Sequence, residues 1–211
     1  MFGVEAASDV LFIARKNFIG DSNNRIASSI SKLTYSPVDD QLDLSSSAVV
    51  SQTEDSLFTE RRFLTSFKSG DYVYYIYDLE GQAENGNNLR ISRTCISDNG
   101  VESGGSVSLA TFTEAILQCS GVTSESVSSS TTVTINGHMM VLVNHFITDT
   151  GTNEICQYNV TMINEAMDSQ LEMCANGVGV RGLDREGSTQ ACPKGLSETV
   201  KQVCIIVSLH L

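Results

Sequence analysis

Six cysteines are the residues of this chain whose type and spacing most clearly allow chemistry. They are Cys95, Cys119, Cys156, Cys174, Cys192 and Cys204. No two of them form a C-x-x-C pair, which a zinc site usually contains. An even number of widely spaced cysteines is typical of three disulfides in an oxidising compartment, and buried free thiols in a cytosolic protein are the alternative.

A glycosylation sequon agrees with an oxidising, extracellular setting. Asn159 begins the sequence Asn-Val-Thr, which is an acceptor motif for an N-linked glycan. A glycan at Asn159 requires export of the chain and exposure of the side chain. The sequon and the cysteines therefore favour the same compartment.

Groups that could support catalysis or bind a cofactor are scarce. Of the three histidines, His138 and His145 lie seven positions apart in one predicted strand, so they face opposite sides of a sheet and do not predict a metal site. Residues Gly177–Gly182 match G-x-G-x-x-G, but the motif follows a predicted helix instead of opening one, as a dinucleotide site would require. With no G-x-S-x-G and no nucleophile–base pattern, we predict no enzyme activity, catalytic residue, metal or cofactor.

Charge and hydropathy restrict the partners further. Aspartate and glutamate number 25 against 13 lysines and arginines, which gives a net charge of −12. A field of that sign repels phosphate backbones and anionic lipid, so nucleic acid is not an expected partner. No run approaches the roughly 18 apolar residues of a membrane helix, and the start Met1–Glu5 does not read as a signal peptide. We therefore expect a piece of a longer exported chain.

Strand patterns dominate the sequence. The clearest strand is Asp71–Leu79, where Tyr72 to Tyr77 are apolar or aromatic on both faces, so a sheet covered on both sides is predicted. Arg62–Phe67 precedes it across a Lys68-Ser69-Gly70 turn, and Leu89–Ile96 and Ala110–Cys119 follow as strands.

A hairpin and one helix follow these strands. Residues 131–135 and 138–147 predict a hairpin closed by Asn136-Gly137, and Thr161 is the expected N-cap of a helix near 161–175 that ends at Gly177. Antiparallel strands in groups of about four predict an all-β, propeller-like fold, with a sandwich left open.

Several blocks, in order along the chain, resemble the sema domain. They are Ser8–Ala14, Arg25–Ser29, Phe63–Phe67, Gly70–Tyr75, Leu89–Asp98, Leu117–Ser120, Glu154–Tyr158 and Cys174–Gly179. The resemblance covers about residues 8 to 204, is most like the sema domain of plexins, and departs at an insert over Gly81–Asn88 and in the tail after Cys204.

This resemblance implies a fold, a domain division and a disulfide pattern. A sema domain is a seven-bladed β-propeller, and this length corresponds to about three or four blades with one inserted helix near 161–175. Residues 1–204 are then a partial sema domain, and 205–211 a non-homologous tail. By analogy with plexins, the expected bridges are Cys95–Cys204, Cys119–Cys156 and Cys174–Cys192.

The resemblance also implies a role. It suggests an extracellular protein-binding module of a plexin-like semaphorin receptor, with a semaphorin-like ligand bound through propeller loops and edges. In the full-length protein the module would lie on the extracellular side of the plasma membrane, attached through parts absent from this chain, and homo-oligomerisation is left open. Semaphorin chains usually carry a tryptophan between the cysteines that match Cys95 and Cys119, and this chain has no tryptophan. A receptor is therefore favoured over a semaphorin-type ligand, with a secreted β-propeller hydrolase as the more distant alternative.

Overall fold

The described part of the chain is mostly β-structure. The computed structural model describes residues 2–7, 10–19, 25–36, 41–43, 49–50, 60–80, 89–98, 101–103, 106–108, 111–117, 126–147 and 150–175. The strands within these ranges are β1 (Phe2–Ala7), β2 (Val10–Ile19), β3 (Arg25–Ser36), β4 (Gln41–Asp43), β5 (Val49–Val50), β6 (Glu60–Ser69), β7 (Tyr72–Glu80), β8 (Leu89–Cys95), β9 (Val101–Ser103), β10 (Ser106–Ser108), β11 (Thr113–Ile116), β12 (Ser126–Ile135), β13 (His138–Ile147) and β14 (Thr152–Asn159). One helix, α1 (Val160–Ala175), follows. The prediction of an all-β chain with one helix near 161–175 is confirmed.

The first sheet has the order β1-β2-β3-β5-β10-β9, with β4 also pairing β3. β1, β2 and β3 form an antiparallel meander, in which β2 and β3 pair over the full length of β2. β5 joins β10 in parallel through a single residue pair, so the chain returns to this sheet after building β6 to β8.

The second sheet has the order β11-β8-β7-β6 and is antiparallel throughout. Gly70 forms the predicted turn between β6 and β7 with a φ of 57°. That left-handed conformation suits glycine, since a Cβ atom would crowd the backbone there.

The third sheet has the order β12-β13-β14. The predicted hairpin turn is confirmed, because Asn136 and Gly137 both have positive φ, 50° and 79°. Two consecutive left-handed residues match the right-handed twist of the paired strands, which is why Asn-Gly favours this turn.

The second sheet is packed between the other two. Tyr74 and Ile76 of β7 lie in one core with residues of β13 and α1, whereas Val73, Tyr75 and Tyr77 lie in another with Phe12, Ala14 and Ile30 of the first sheet. Successive side chains of a strand point to opposite faces, so one strand serves both cores. The prediction that β7 is covered on both faces is confirmed.

Helix α1 packs through one face and is capped one position before its first residue. Among the α1 side chains that the structure describes, Val160, Ile163 and Met167 are buried, at helical spacing. The prediction that Thr161 is the N-cap is wrong, because the Asn159 side chain accepts a hydrogen bond from the Thr161 amide. Its predicted end at Gly177 lies outside the described residues. Within those ranges, no helix has the length and apolar character that a membrane crossing requires.

Candidate protein-interaction surface

The third sheet has one buried face and one open face. On β13, Val141, Val143 and His145 are buried toward the second sheet, and the alternate residues point the other way. We call the opposite face, on which the register places Val133, Ile135, Met140, Phe146 and Ile155, the outer face.

The outer face combines exposed apolar side chains with neutral polar ones, among them Ser129, Thr131, Asn144 and Gln157. Val133, Ile135 and Phe146 are each more than a third exposed, and Ile155 is 62% exposed. The register places no aspartate, glutamate, lysine or arginine on the described part of this face, although the chain carries a net charge of −12. Several exposed apolar residues grouped on one sheet face are a candidate for contact with another protein surface.

A polar cluster around Arg93 attaches helix α1 to the second sheet. Arg93, on β8, is 1% exposed and lies opposite Tyr74 in the register of β7 and β8. Its Nη1 donates to Asn164 Oδ1 at 2.7 Å, and its Nη2 donates to the Asp168 carboxylate. The guanidinium also lies 4.3 Å from the centre of the Tyr72 ring, a cation–π contact.

Both tyrosines of this cluster keep their protons, and Tyr74 is also a hydrogen-bond donor. The Tyr74 hydroxyl donates to Asn164 Oδ1 at 2.7 Å. Burial raises the pKa of Tyr74 to about 12, against the smaller lowering effects of the Asn164 hydrogen bond and the Arg93 charge. Burial likewise raises the pKa of Tyr72. At physiological pH both hydroxyls stay protonated, so the cluster stabilises the helix position and offers no nucleophile.

A second buried cluster joins the first sheet to the end of β8. Lys32 Nζ, on β3, donates to the backbone oxygen of Asp98 at 2.8 Å. Asp98 Oδ2 accepts from both the amide and the hydroxyl of Thr111 at 2.6 Å. The Thr111 hydroxyl in turn accepts from the Cys95 amide at 2.9 Å. All four residues are buried, so a substrate has no access to them and the cluster acts in sheet packing.

Two neighbouring tyrosines of β7 have contrasting environments between the first and second sheets. The Tyr77 hydroxyl donates to the buried Glu114 carboxylate on β11. The Tyr75 hydroxyl is buried and has no hydrogen-bond partner among the residues that the structure describes, and burial raises its pKa. An unsatisfied buried hydroxyl destabilises the fold.

The histidines lie where the strand pattern predicts. His145 is buried on the inner face of β13, and His138 is exposed at the start of the same strand, on the opposite face. Burial lowers the pKa of His145, with a smaller opposing effect from Glu154 across the β13–β14 pair.

Among the described residues, no group of three or more histidines, cysteines, aspartates or glutamates is placed to hold a metal ion. His210 and the Gly177–Gly182 motif lie outside those residues.

The structure describes some of the predicted disulfide and glycosylation residues. Cys95, buried at the end of β8, and Cys156, half-buried on β14, are each disulfide-bonded. Cys119, Cys192 and Cys204 lie outside the described residues, as does the side chain of Cys174, so the pairing stays a prediction. Asn159 is half-buried where β14 meets α1.

Sequence reasoning missed the Arg93 cluster. The available signals were an arginine in the middle of the predicted strand Leu89–Ile96, and Asn164 and Asp168 four positions apart on one helix face. Neither signal identifies its partner.

Comparison with known proteins gives distant structural likenesses. No protein-family model and no curated protein sequence matches the chain. The extracellular domains 1–2 of Drosophila Semaphorin 1b are similar to it with a TM-score of 0.47 and 13% identity, over 74% of this chain and 32% of that one. For Drosophila Semaphorin 2a the TM-score is 0.46 and the identity 16%, over 74% of this chain and 29% of that one.

A structure of Drosophila Plexin A in complex with Semaphorin 1b is also similar, with a TM-score of 0.44 and 15% identity over 76% of this chain and 42% of that one. The chain thus spans less than half the length of each of these solved structures.

Proposed function

We propose that this chain is part of an extracellular sema-type β-propeller that binds another protein and has no enzymatic activity. The observation that carries the proposal is the packing of the second sheet, whose strand β7 contributes buried side chains to the cores on both of its faces. In a propeller each blade packs in this way against the blades before and after it. The residue blocks that resemble the sema domain are the reason for proposing this family of propellers.

The three sheets support an arrangement of successive blades. The second sheet is a four-stranded antiparallel sheet, and the third is a three-stranded meander that continues directly into α1. The outer face of the third sheet is then the face on which a further sheet of the same propeller would pack. We propose residues 1–204 as the propeller part and 205–211 as a separate tail.

We further propose a plexin-like receptor role, with a semaphorin-like partner bound through loops and strand edges. It is supported by the order of the resembling blocks, the cysteine spacing and the lack of tryptophan between Cys95 and Cys119. A net charge of −12 disfavours nucleic acid as the partner. In the full-length protein the module would lie on the extracellular side of the plasma membrane, attached by parts outside this chain.

A binding experiment tests the receptor role against the ligand role. The oxidised chain, secreted from eukaryotic cells and immobilised, is exposed to semaphorin ectodomains and, separately, to plexin ectodomains. Saturable binding of a semaphorin that disappears when the disulfides are reduced is the expected result. Binding of plexin alone would assign the chain to the ligand side, and binding of neither would contradict the proposed function.

A further inference from the structure

Asn159 lies where a helix start and a glycosylation motif coincide. It is the last residue of β14, and its Oδ1 accepts a hydrogen bond from the Thr161 amide at 2.8 Å. An asparagine in that geometry is the N-cap of α1, since it satisfies one of the amides that have no partner within the helix. Thr161, whose amide it caps, is also the third residue of the sequon.

The cap and the glycan use different atoms of the same side chain. The cap uses Oδ1, whereas Nδ2 makes no hydrogen bond with any described residue. N-glycosylation forms a bond between Nδ2 and the anomeric carbon of a phosphate-activated sugar. The bond from that carbon to the phosphate oxygen breaks, and Nδ2 gives up one proton. The Oδ1 lone pairs are not consumed, so the glycosylated side chain keeps its acceptor.

We propose that Asn159 is an N-glycosylation site whose modification preserves the N-cap of α1. The inference rests on the proposed extracellular function, because only an exported chain receives the glycan. It also connects the modification to the Arg93 cluster, since α1 brings Asn164 and Asp168 to the guanidinium. A glycan that displaced the cap would loosen the first turn of the helix that supplies both side chains.

Variants of the sequon separate the two roles of Asn159. Thr161→Ala removes the sequon but keeps the backbone amide that Asn159 caps. Asn159→Asp also removes the glycan and keeps an acceptor oxygen at the same position. Asn159→Gln removes both the glycan and the cap, because the longer side chain places its oxygen differently.

The test uses the full chain secreted from eukaryotic cells, with two measurements on each variant. Glycosidase treatment should lower the mass of the wild-type chain alone. Amide hydrogen exchange over residues 160–168 should be equal in the glycosylated wild type, Thr161→Ala and Asn159→Asp. It should be roughly five-fold faster in Asn159→Gln, the factor expected for loss of an N-cap.

Two results would overturn the proposal in distinguishable ways. Faster exchange in the glycosylated wild type than in Thr161→Ala would show that the glycan displaces the cap. A secreted wild-type chain with no mass shift would overturn the modification itself, while semaphorin binding by the same preparation would leave the proposed function standing. Equal exchange in Asn159→Gln and Thr161→Ala would show that Asn159 contributes nothing to the helix start.

Discussion

The guanidinium of Arg93 on β8 binds the carboxylate of Asp168 on helix α1, across 75 positions of the sequence. The Arg93 side chain is 1% exposed and the Asp168 side chain is 61% exposed, so the charge that needs compensation is the arginine's. Asn164 and the Tyr72 ring provide further contacts for the guanidinium. The helix is therefore held by a buried cation as well as by its apolar face.

Replacement of Asp168 should weaken this attachment. Asp168→Ala is expected to lower the free energy of unfolding by about 1 kcal/mol, because a buried guanidinium loses a charged acceptor while Asn164 remains. Asp168→Asn, which keeps an acceptor oxygen, should lower the free energy of unfolding by less. Chemical denaturation measures both, with the exposed Glu165→Ala on the same helix as the matched control. Equal loss in the Asp168 and Glu165 variants would contradict a specific role for the Arg93 pair.

Tyr75 and Tyr77 should respond in opposite ways to removal of the hydroxyl. Tyr75→Phe deletes a buried hydroxyl that bonds to none of the described residues, so stability should be unchanged or higher by about 1 kcal/mol. Tyr77→Phe deletes a donor to the buried Glu114 carboxylate and should lower stability by about 1–2 kcal/mol. Denaturation midpoints decide the comparison, since both variants remove the same atom from one face of one strand. A clear loss of stability in Tyr75→Phe would show that its hydroxyl is bonded in solution.

Acid should destabilise the chain through His145. Burial lowers its pKa below the ordinary value of 6.5, so the unfolded state binds more protons than the folded state as the pH falls. The stability difference is absent well above pH 6.5 and grows as the pH falls below that value. Melting temperatures measured from about pH 7.5 to 5, above the range where carboxylates titrate, should fall in the wild type and change less in His145→Gln.

The other described histidine supplies the control for the pH experiment. His138→Gln, at an exposed position, should keep the pH dependence of the wild type. If the melting temperature of His145→Gln falls with pH as steeply as that of the wild type and of His138→Gln, the acid sensitivity comes from other groups.

The outer face should make the isolated chain associate. An exposed apolar sheet face promotes oligomerisation or aggregation, and the net charge of −12 slows the process without covering the face. Ile155→Lys places a charge on this face at a position 62% exposed, so it should shift the chain toward monomer without unfolding it. Size-exclusion chromatography with light scattering, on refolded and oxidised protein, measures the shift.

Ser169→Lys adds the same charge at an exposed polar position of α1, away from the outer face, and should change association less. A monomeric wild-type chain with a cooperative thermal transition would contradict the view that a further sheet belongs on this face.

The disulfide pattern is open to direct chemical mapping. Peptide mapping without reduction should recover Cys95–Cys204, Cys119–Cys156 and Cys174–Cys192. Cys156→Ser should lower stability by about 2–4 kcal/mol, because the unfolded chain regains the freedom that the bridge removes. A peptide that links Cys156 to any cysteine other than Cys119 would show that the plexin-like pairing is wrong.

Local sequence patterns determined much of the fold. The two-faced apolar pattern of Tyr72 to Tyr77 predicted a strand covered on both sides, and Asn136-Gly137 predicted the hairpin turn. A helix near 161–175 was also predicted, and α1 is found there. These features depend on the conformational preferences of a few adjacent residues and on strand or helix periodicity, so the sequence carries them without knowledge of the rest of the chain.

Contacts between distant residues were decided only by the tertiary structure. Arg93 meets Asn164 and Asp168 because the second sheet, the third sheet and α1 pack together, and no local pattern specifies partners 71 and 75 positions away. The identity of the N-cap residue of α1 was likewise decided by the structure and not by the sequence pattern. Both Asn159 and Thr161 are acceptable N-caps by residue type, and the direction in which the chain leaves β14 selects Asn159, because only there does the side-chain oxygen meet a free helical amide.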